Sequence, residues 1–182
     1  MIAYGRLLRL LLESERSGIK PNIASWIPWL AVDISIFTAS AYAGAMREAI
    51  IFGLYSLGCF VVISFLFNKG EIKLSVVDKV SLVVSLTAFI AWIATEDPEV
   101  AVYFNVAVAV FASIPTLVQA MRRPELEDGR VWFYFSFGGL ANLLAVEVPD
   151  MLHMLPAFMV FVLQSAFFGF STFGRLEKGL SF

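Results

Sequence analysis

Long apolar runs, interrupted at short intervals by charged or helix-breaking residues, set the pattern of this chain. A membrane-crossing helix needs about 20 mostly apolar residues. Six stretches qualify, at 24–45, 49–67, 76–95, 100–120, 131–148 and 151–173. The second and fourth carry no charged side chain, and Asp78 and Lys79 lie in the first turn of the third, within reach of headgroups. The connections at 68–73, 96–99, 122–130 and 149–150 are short. Such connections force consecutive helices to run antiparallel, which predicts an up-down bundle. Segment 1–12 is too short to span and places Arg6 and Arg9 within an apolar stretch. It reads as an interfacial amphipathic helix or as the stump of a span, followed by a polar linker at 13–20.

Composition agrees with lipid as the surrounding medium. Hydrophobic residues make up 59% of the 182 and charged residues 15%, with a mean hydropathy of +0.82. A soluble domain is nearer half apolar and a quarter charged. The fold class expected is therefore an all-α integral membrane protein of six transmembrane helices plus a short N-terminal interfacial helix. Charge then orients it. With six spans, one face receives Arg6, Arg9, Arg16, Lys20, Lys69, Lys73, Lys79, Arg122, Arg123, Arg130, Arg175 and Lys178. That leaves only Arg47 of the 13 basic residues for the other face, beside Glu48, Glu96, Asp97, Glu99, Glu147 and Asp150. The basic face is the cytoplasmic one, so both termini are expected there. Topology accounts for the basic loops, so nucleic acid is not an expected partner. The single cysteine, Cys59, lies in an apolar run and reads as a small buried hydrophobe.

Polar residues inside the spans carry the candidate chemistry. Asp33 is near the middle of the first, where a charge costs about 2.5–3.5 kcal/mol on insertion scales. It reads equally as a titratable or cation-coordinating group facing a cavity and as a hydrogen-bonded group holding helices together. Ala31, Ser35, Ala39 and Ala43 recur every four residues on the other side of that helix and would let a neighbour approach closely. In the fourth span, Asn105, Ala109, Ala112, Thr116 and Gln119 form one narrow face, read either as packing or as part of a solute path. Pro115, in the same span, leaves the carbonyl of Phe111 without its usual donor, a feature of hinges and cavities in membrane helices. Pro28 and Pro156 fall near helix starts, where proline is tolerated. Asn142, near Gly138 and Gly139, and Gln164 each suit a polar solute or a bond to a neighbouring helix. His153 is the sole histidine and no ligand cluster accompanies it, so neither a metal nor another cofactor is expected. No nucleophile–base–orienter set is present, so the chain is not expected to be an enzyme. The tryptophans at 26, 29, 92 and 132 fall mostly near span ends, as in an aromatic belt.

Two regions rhyme. Lys20-Pro21 leads into Ser25-Trp26 and a helix with Asp33, and Arg123-Pro124 leads into Trp132 and a helix with Asn142. Together with Ile114-Pro115-Thr116-Leu117 and Arg122-Arg123-Pro124-Glu125, these residues resemble the PQ-loop and SWEET-like superfamily. The resemblance implies two three-helix bundles joined by a linker helix, with a solute path. On that plan 1–22 is the interfacial helix and linker, 23–74 a first repeat with two full spans, and 75–99 the linker helix. The second repeat is 100–174 and the tail 175–182. Thr116 stands where the family has glutamine after its proline, and the first helix of the first repeat is missing or reduced to 1–12. The function implied is a transporter or facilitator of a small polar solute working by alternating access. Asn142, Asn105, Gln164 and Asp33 would contact the solute, with Asp33 able to couple protons and Pro115 as hinge. The alternative is a non-transporting receptor, assembly factor or accessory subunit of a membrane complex. In either case the bilayer is a partner, and a homodimer or another membrane protein would complete the first bundle.

Overall fold

The computed structural model describes residues 1–13, 17–42, 44, 46–69, 74–94, 98–144, 146 and 151–180. All regular structure among them is helical. In chain order the helices are α1 (Ile2–Leu12), α2 (Ile23–Tyr42), α3 (Met46–Lys69), α4 (Val76–Ile93), α5 (Pro98–Arg122), α6 (Gly129–Leu144) and α7 (Met151–Glu177), with a single 3-10 turn at Pro124–Leu126. Each apolar run of the sequence thus contains a helix. Three of them, in α3, α5 and α7, are long and apolar enough to cross a membrane, and α2 adds a shorter apolar stretch at Ile23–Thr38. The described part of α6 has 16 residues. At 1.5 Å per residue that reaches about 24 Å, less than the 131–148 prediction. The expected loop residues Lys73, Glu96, Asp97, Pro149 and Asp150 lie outside the described residues, as does Arg16, and so do the side chains of Ala39, Glu48 and Trp92.

Local chemistry explains the helix ends. Arg123-Pro124 stops α5, because a residue preceding proline is pushed out of the helical region. Asp128 caps α6, its Oδ1 accepting from the Val131 amide at 3.0 Å. Gly179 adopts φ +65 after α7, and the Gly179 and Leu180 amides bond back to Leu176 and Arg175 as in a Schellman close.

Burial on α4 is inverted relative to a helix of a water-soluble protein. On α4 the buried face is Asp78, Ser81 and Ser85, whereas Val76, Val80, Val83, Leu86 and Ile90 are exposed, Val83 to 64%. Elsewhere Ser25, Ser35, Asn105, Ser113, Thr116, Ser136, Asn142 and Ser171 are buried while Phe60, Phe137, Phe158 and Phe173 are not.

The chain divides into two compact units, and the division falls within α5. The first comprises Ile23–Ile114 with Met1, and the second Ile2–Asn22 with Pro115–Phe182. In the first, Asp33 meets Cys59 across α2 and α3, and α2 meets α5 through Trp29–Ser113 and Ser35–Asn105. Residue numbers rise on one helix as they fall on the other, so α2 and α5 are antiparallel. In the second unit, Trp132–Phe167, Ser136–Ser165 and the approach of Gly139 to Phe161 give the same sense to α6 and α7. A Cβ on Gly139 would stand 2.9 Å from the Phe161 backbone, so only glycine permits this contact. The N-terminal helix belongs to this second unit: Ala3, Tyr4, Leu7 and Leu11 form its buried stripe, and Tyr4 packs edge-on to Phe135 at 4.9 Å.

Candidate functional site

In the first unit the polar side chains come from four helices. Asp33, half-buried on α2, receives the Cys59 thiol on its Oδ2 at 3.4 Å. Ser35, two residues on and therefore about 200° around the helix, accepts instead from Asn105 Nδ2 at 3.2 Å. Asp33 and Asn105 thus lie on different sides of α2. Ser35, of the small-residue stripe, is on the side α2 turns to α5. Further along, Trp29 Nε1 donates to Ser113 Oγ at 3.3 Å, and Ser113 donates to the Ala109 carbonyl at 2.7 Å. The Phe111 carbonyl, freed by Pro115, accepts from Ser81 Oγ of α4. Among the described residues of this unit, the buried Asn105 Oδ1 and Ser85 Oγ have no hydrogen-bond partner.

In the second unit the candidate residues are spread along the helices. Asn142 is buried in the last described turn of α6. Gln164 is next to Ser165, whose hydroxyl meets Ser136 at 2.6 Å, and its Oε1 is buried without a partner. Six residues separate Ser136 from Asn142, about 9 Å along the axis. Asn142 and Gln164 therefore sit at different levels.

Sequence reasoning missed the best-defined polar cluster in the molecule, which lies on the connection between α5 and α6. Glu127 is buried there. Its Oε1 accepts from Gln119 Nε2 at 2.7 Å and its Oε2 from the Trp132 indole at 2.9 Å. The Gln119 amide also reaches the Lys20 carbonyl at 2.7 Å, and the Lys20 amide donates to the Leu126 carbonyl at 3.0 Å. Asp128 takes Arg6 Nε at 3.0 Å and Nη2 at 2.6 Å, a two-pronged ion pair. Arg175 Nη1 donates to the Glu127 and Glu125 carbonyls, and Lys178 pairs with Glu125 at 2.9 Å. The titrations follow from these surroundings. Burial pushes the Glu127 carboxyl up to about 8, against its bonds from Trp132 and Gln119. Burial also pushes Asp128 up, but the Arg6 and Val131 hydrogen bonds outweigh it and hold the group below its ordinary value. The Lys178 hydrogen bond lowers Glu125, and the Asp128 hydrogen bond raises Arg6.

Trp26 and Trp132, expected in a boundary belt, are both buried. Trp132 packs on Phe167 at 4.8 Å, and Glu127 satisfies the indole N–H that would otherwise seek headgroups. One signal in the sequence pointed to the cluster: an aspartate directly before a helical run, the usual place of a cap. The acidic pair beside it reads as a solvated loop, and nothing local shows that Glu127 turns inward. Among the described residues, no three His, Cys, Asp or Glu side chains converge as a metal site would require. Compared with models of known families, with curated proteins and with solved structures, the chain shows no match.

Proposed function

We propose that the chain is an inner-membrane protein of six spans that moves a small polar solute by alternating access. The inverted burial supports the membrane setting. On α4, Asp78, Ser81 and Ser85 turn inward while Val76, Val80, Val83, Leu86 and Ile90 face out, an arrangement water would not stabilise, and Phe60, Phe137, Phe158 and Phe173 are likewise exposed. The partition of basic residues supports termini in the cytoplasm. One observation carries the solute reading: within the first unit, Asn105 Oδ1 and Ser85 Oγ are buried without partners. A buried oxygen left unbonded costs about 1–3 kcal/mol, and a polar solute relieves that penalty. Asp33, whose carboxylate accepts from the Cys59 thiol, supplies the protonatable group. Pro115, at which the chain divides, is the hinge.

A second reading, a receptor, assembly factor or accessory subunit, draws on α4. Its outward valines, leucine and isoleucine would accept another membrane helix as readily as lipid. The deciding experiment is flux of a panel of uncharged and zwitterionic solutes into proteoliposomes, for wild type, Asp33→Asn and Asn142→Ala. Transport predicts flux in wild type, reduced at least about tenfold in Asp33→Asn while its unfolding curve is retained. Absence of flux across the panel, with a second membrane protein co-purifying in stable ratio, establishes the accessory role.

A further inference from the structure

The connection between α5 and α6 is held by a carboxyl group in a place where a carboxylate is poorly accommodated. Glu127 is 2% exposed, its two oxygens are met by one amide N–H and one indole N–H, and both donors are neutral. The charged groups around it are engaged elsewhere or turned to solvent. From α1, Arg6 grips Asp128. From α7, Lys178 holds Glu125 and the Arg122 carbonyl, and Arg175 reaches the backbone carbonyls of Glu125 and Glu127. Lys20 of the linker, Arg122 and Arg123 ending α5, and Arg130 in the first turn of α6 are exposed. Among the described residues no cation forms an ion pair with the Glu127 carboxylate. An ionised Glu127 would be a buried charge with hydrogen bonds but no counterion, which burial disfavours.

We propose that Glu127 is a proton-binding site that latches the α5–α6 connection to the linker before α2. With the proton bound, the neutral carboxyl accepts from Trp132 and Gln119, and Gln119 keeps its hold on the Lys20 carbonyl. When the proton leaves to bulk water, the remaining charge is hydrated only if the connection opens. Gln119 then lets go of Lys20, and the Lys20–Leu126 bond is exposed to solvent. The sign follows from the direction of the shift. A carboxyl raised from its ordinary value to about 8 binds its proton more tightly in the closed form. The closed form is therefore favoured most below the ordinary carboxylate range and loses that advantage steadily as pH rises through about 8. The latch rests on the geometry of this connection alone and stands whether or not the chain moves a solute.

Hydrogen exchange of the full-length protein in lipid nanodiscs tests it. Rates for the peptides holding the Lys20, Leu126 and Glu127 amides are corrected for the intrinsic effect of pH. Wild type is expected to lose protection by about tenfold or more between about pH 6.5 and 9.5, with one midpoint. Glu127→Gln, which has no proton to lose, should show no midpoint. Trp132→Phe keeps the ring but removes a donor that favours the charged form, so its midpoint should rise by roughly half a unit or more. Infrared difference spectra over the same range should show a neutral carboxyl band in wild type that disappears at the midpoint. Protection that is flat with pH in wild type overturns the proposal. So does a midpoint that persists in Glu127→Gln or stays put in Trp132→Phe. Should Glu127→Gln fail to fold, the Trp132→Phe shift and the wild-type band decide alone.

Discussion

The two units keep their polar groups in different places. In the first, hydroxyls and amides are distributed along the helices, beside the Asp33 carboxyl on Cys59: Ser35 with Asn105, Trp29 with Ser113, and Ser81 on the Phe111 carbonyl. In the second, charged groups gather on the connection between α5 and α6, and the helices beyond are joined by one serine pair, aromatic rings and a glycine contact. The energetic consequences differ. A hydrogen bond between neutral side chains in a membrane interior contributes about 0.6–2 kcal/mol, small enough to break and re-form. Taking Arg6 from its partly exposed pair with Asp128 costs about 2 kcal/mol, and a backbone in close contact with a glycine has no alternative arrangement at all. The glycine contact of the second unit thus tolerates substitution less than the neutral side-chain pairs of the first.

The largest test of that contrast is at the glycines. Gly139→Leu drives a side chain into the Phe161 backbone, and overpacking of that kind costs about 3 kcal/mol or more where the backbone must give way. It should lower the unfolding midpoint sharply or abolish recovery of monodisperse protein. Gly53→Ala in the first unit meets only the Phe37 ring, at 3.2 Å, which can rotate aside. Its effect should stay within about 1 kcal/mol. Equal losses from the two substitutions, read by thermal unfolding in the same detergent, would erase the distinction.

Next in size is the ion pair that fastens α1. Arg6 and Asp128 are 29% and 13% exposed, so solvent screens the pair in part, and Arg6→Gln is expected to cost about 2 kcal/mol. The loss should appear as faster exchange of the α1 amides, with α2 and α3 unchanged. Because Asp128 titrates below its ordinary value, its contribution is present at neutral pH and disappears as pH falls through that lowered value. Arg6→Gln should therefore be less sensitive to acid than wild type, and an unchanged acid profile would remove Arg6 as the cause.

Much of this architecture is legible in the sequence because lipid makes the signal strong. An apolar run interrupted by Arg123-Pro124 or by Gly179 has few ways to be anything but a helix ending there, and the helices begin and end within a few residues of the predicted runs. Asp33, Asn105, Asn142 and Gln164 announce themselves as polar groups in apolar surroundings. Their partners do not, because pairing is a tertiary fact: nothing near Ser35 in the chain names Asn105, seventy residues away. Glu127 escapes for the opposite reason. It lies among arginines and other acids, where burial is the exception, and only the fold turns its carboxyl toward Trp132.

The smallest predicted effect is the most specific. Pro115 withholds an amide from the Phe111 carbonyl, and Ser81 supplies the missing donor from another helix. Ser81→Ala should therefore cost about 1 kcal/mol, the penalty of a carbonyl left unbonded inside the bundle. Pro115→Ala restores a backbone N–H at the right place in α5, so the carbonyl no longer depends on Ser81. In that background Ser81→Ala should cost close to nothing, and the double-mutant cycle should return a coupling of about 1 kcal/mol. A Ser81→Ala penalty of the same size with and without Pro115 would mean that the serine packs without compensating the helix break.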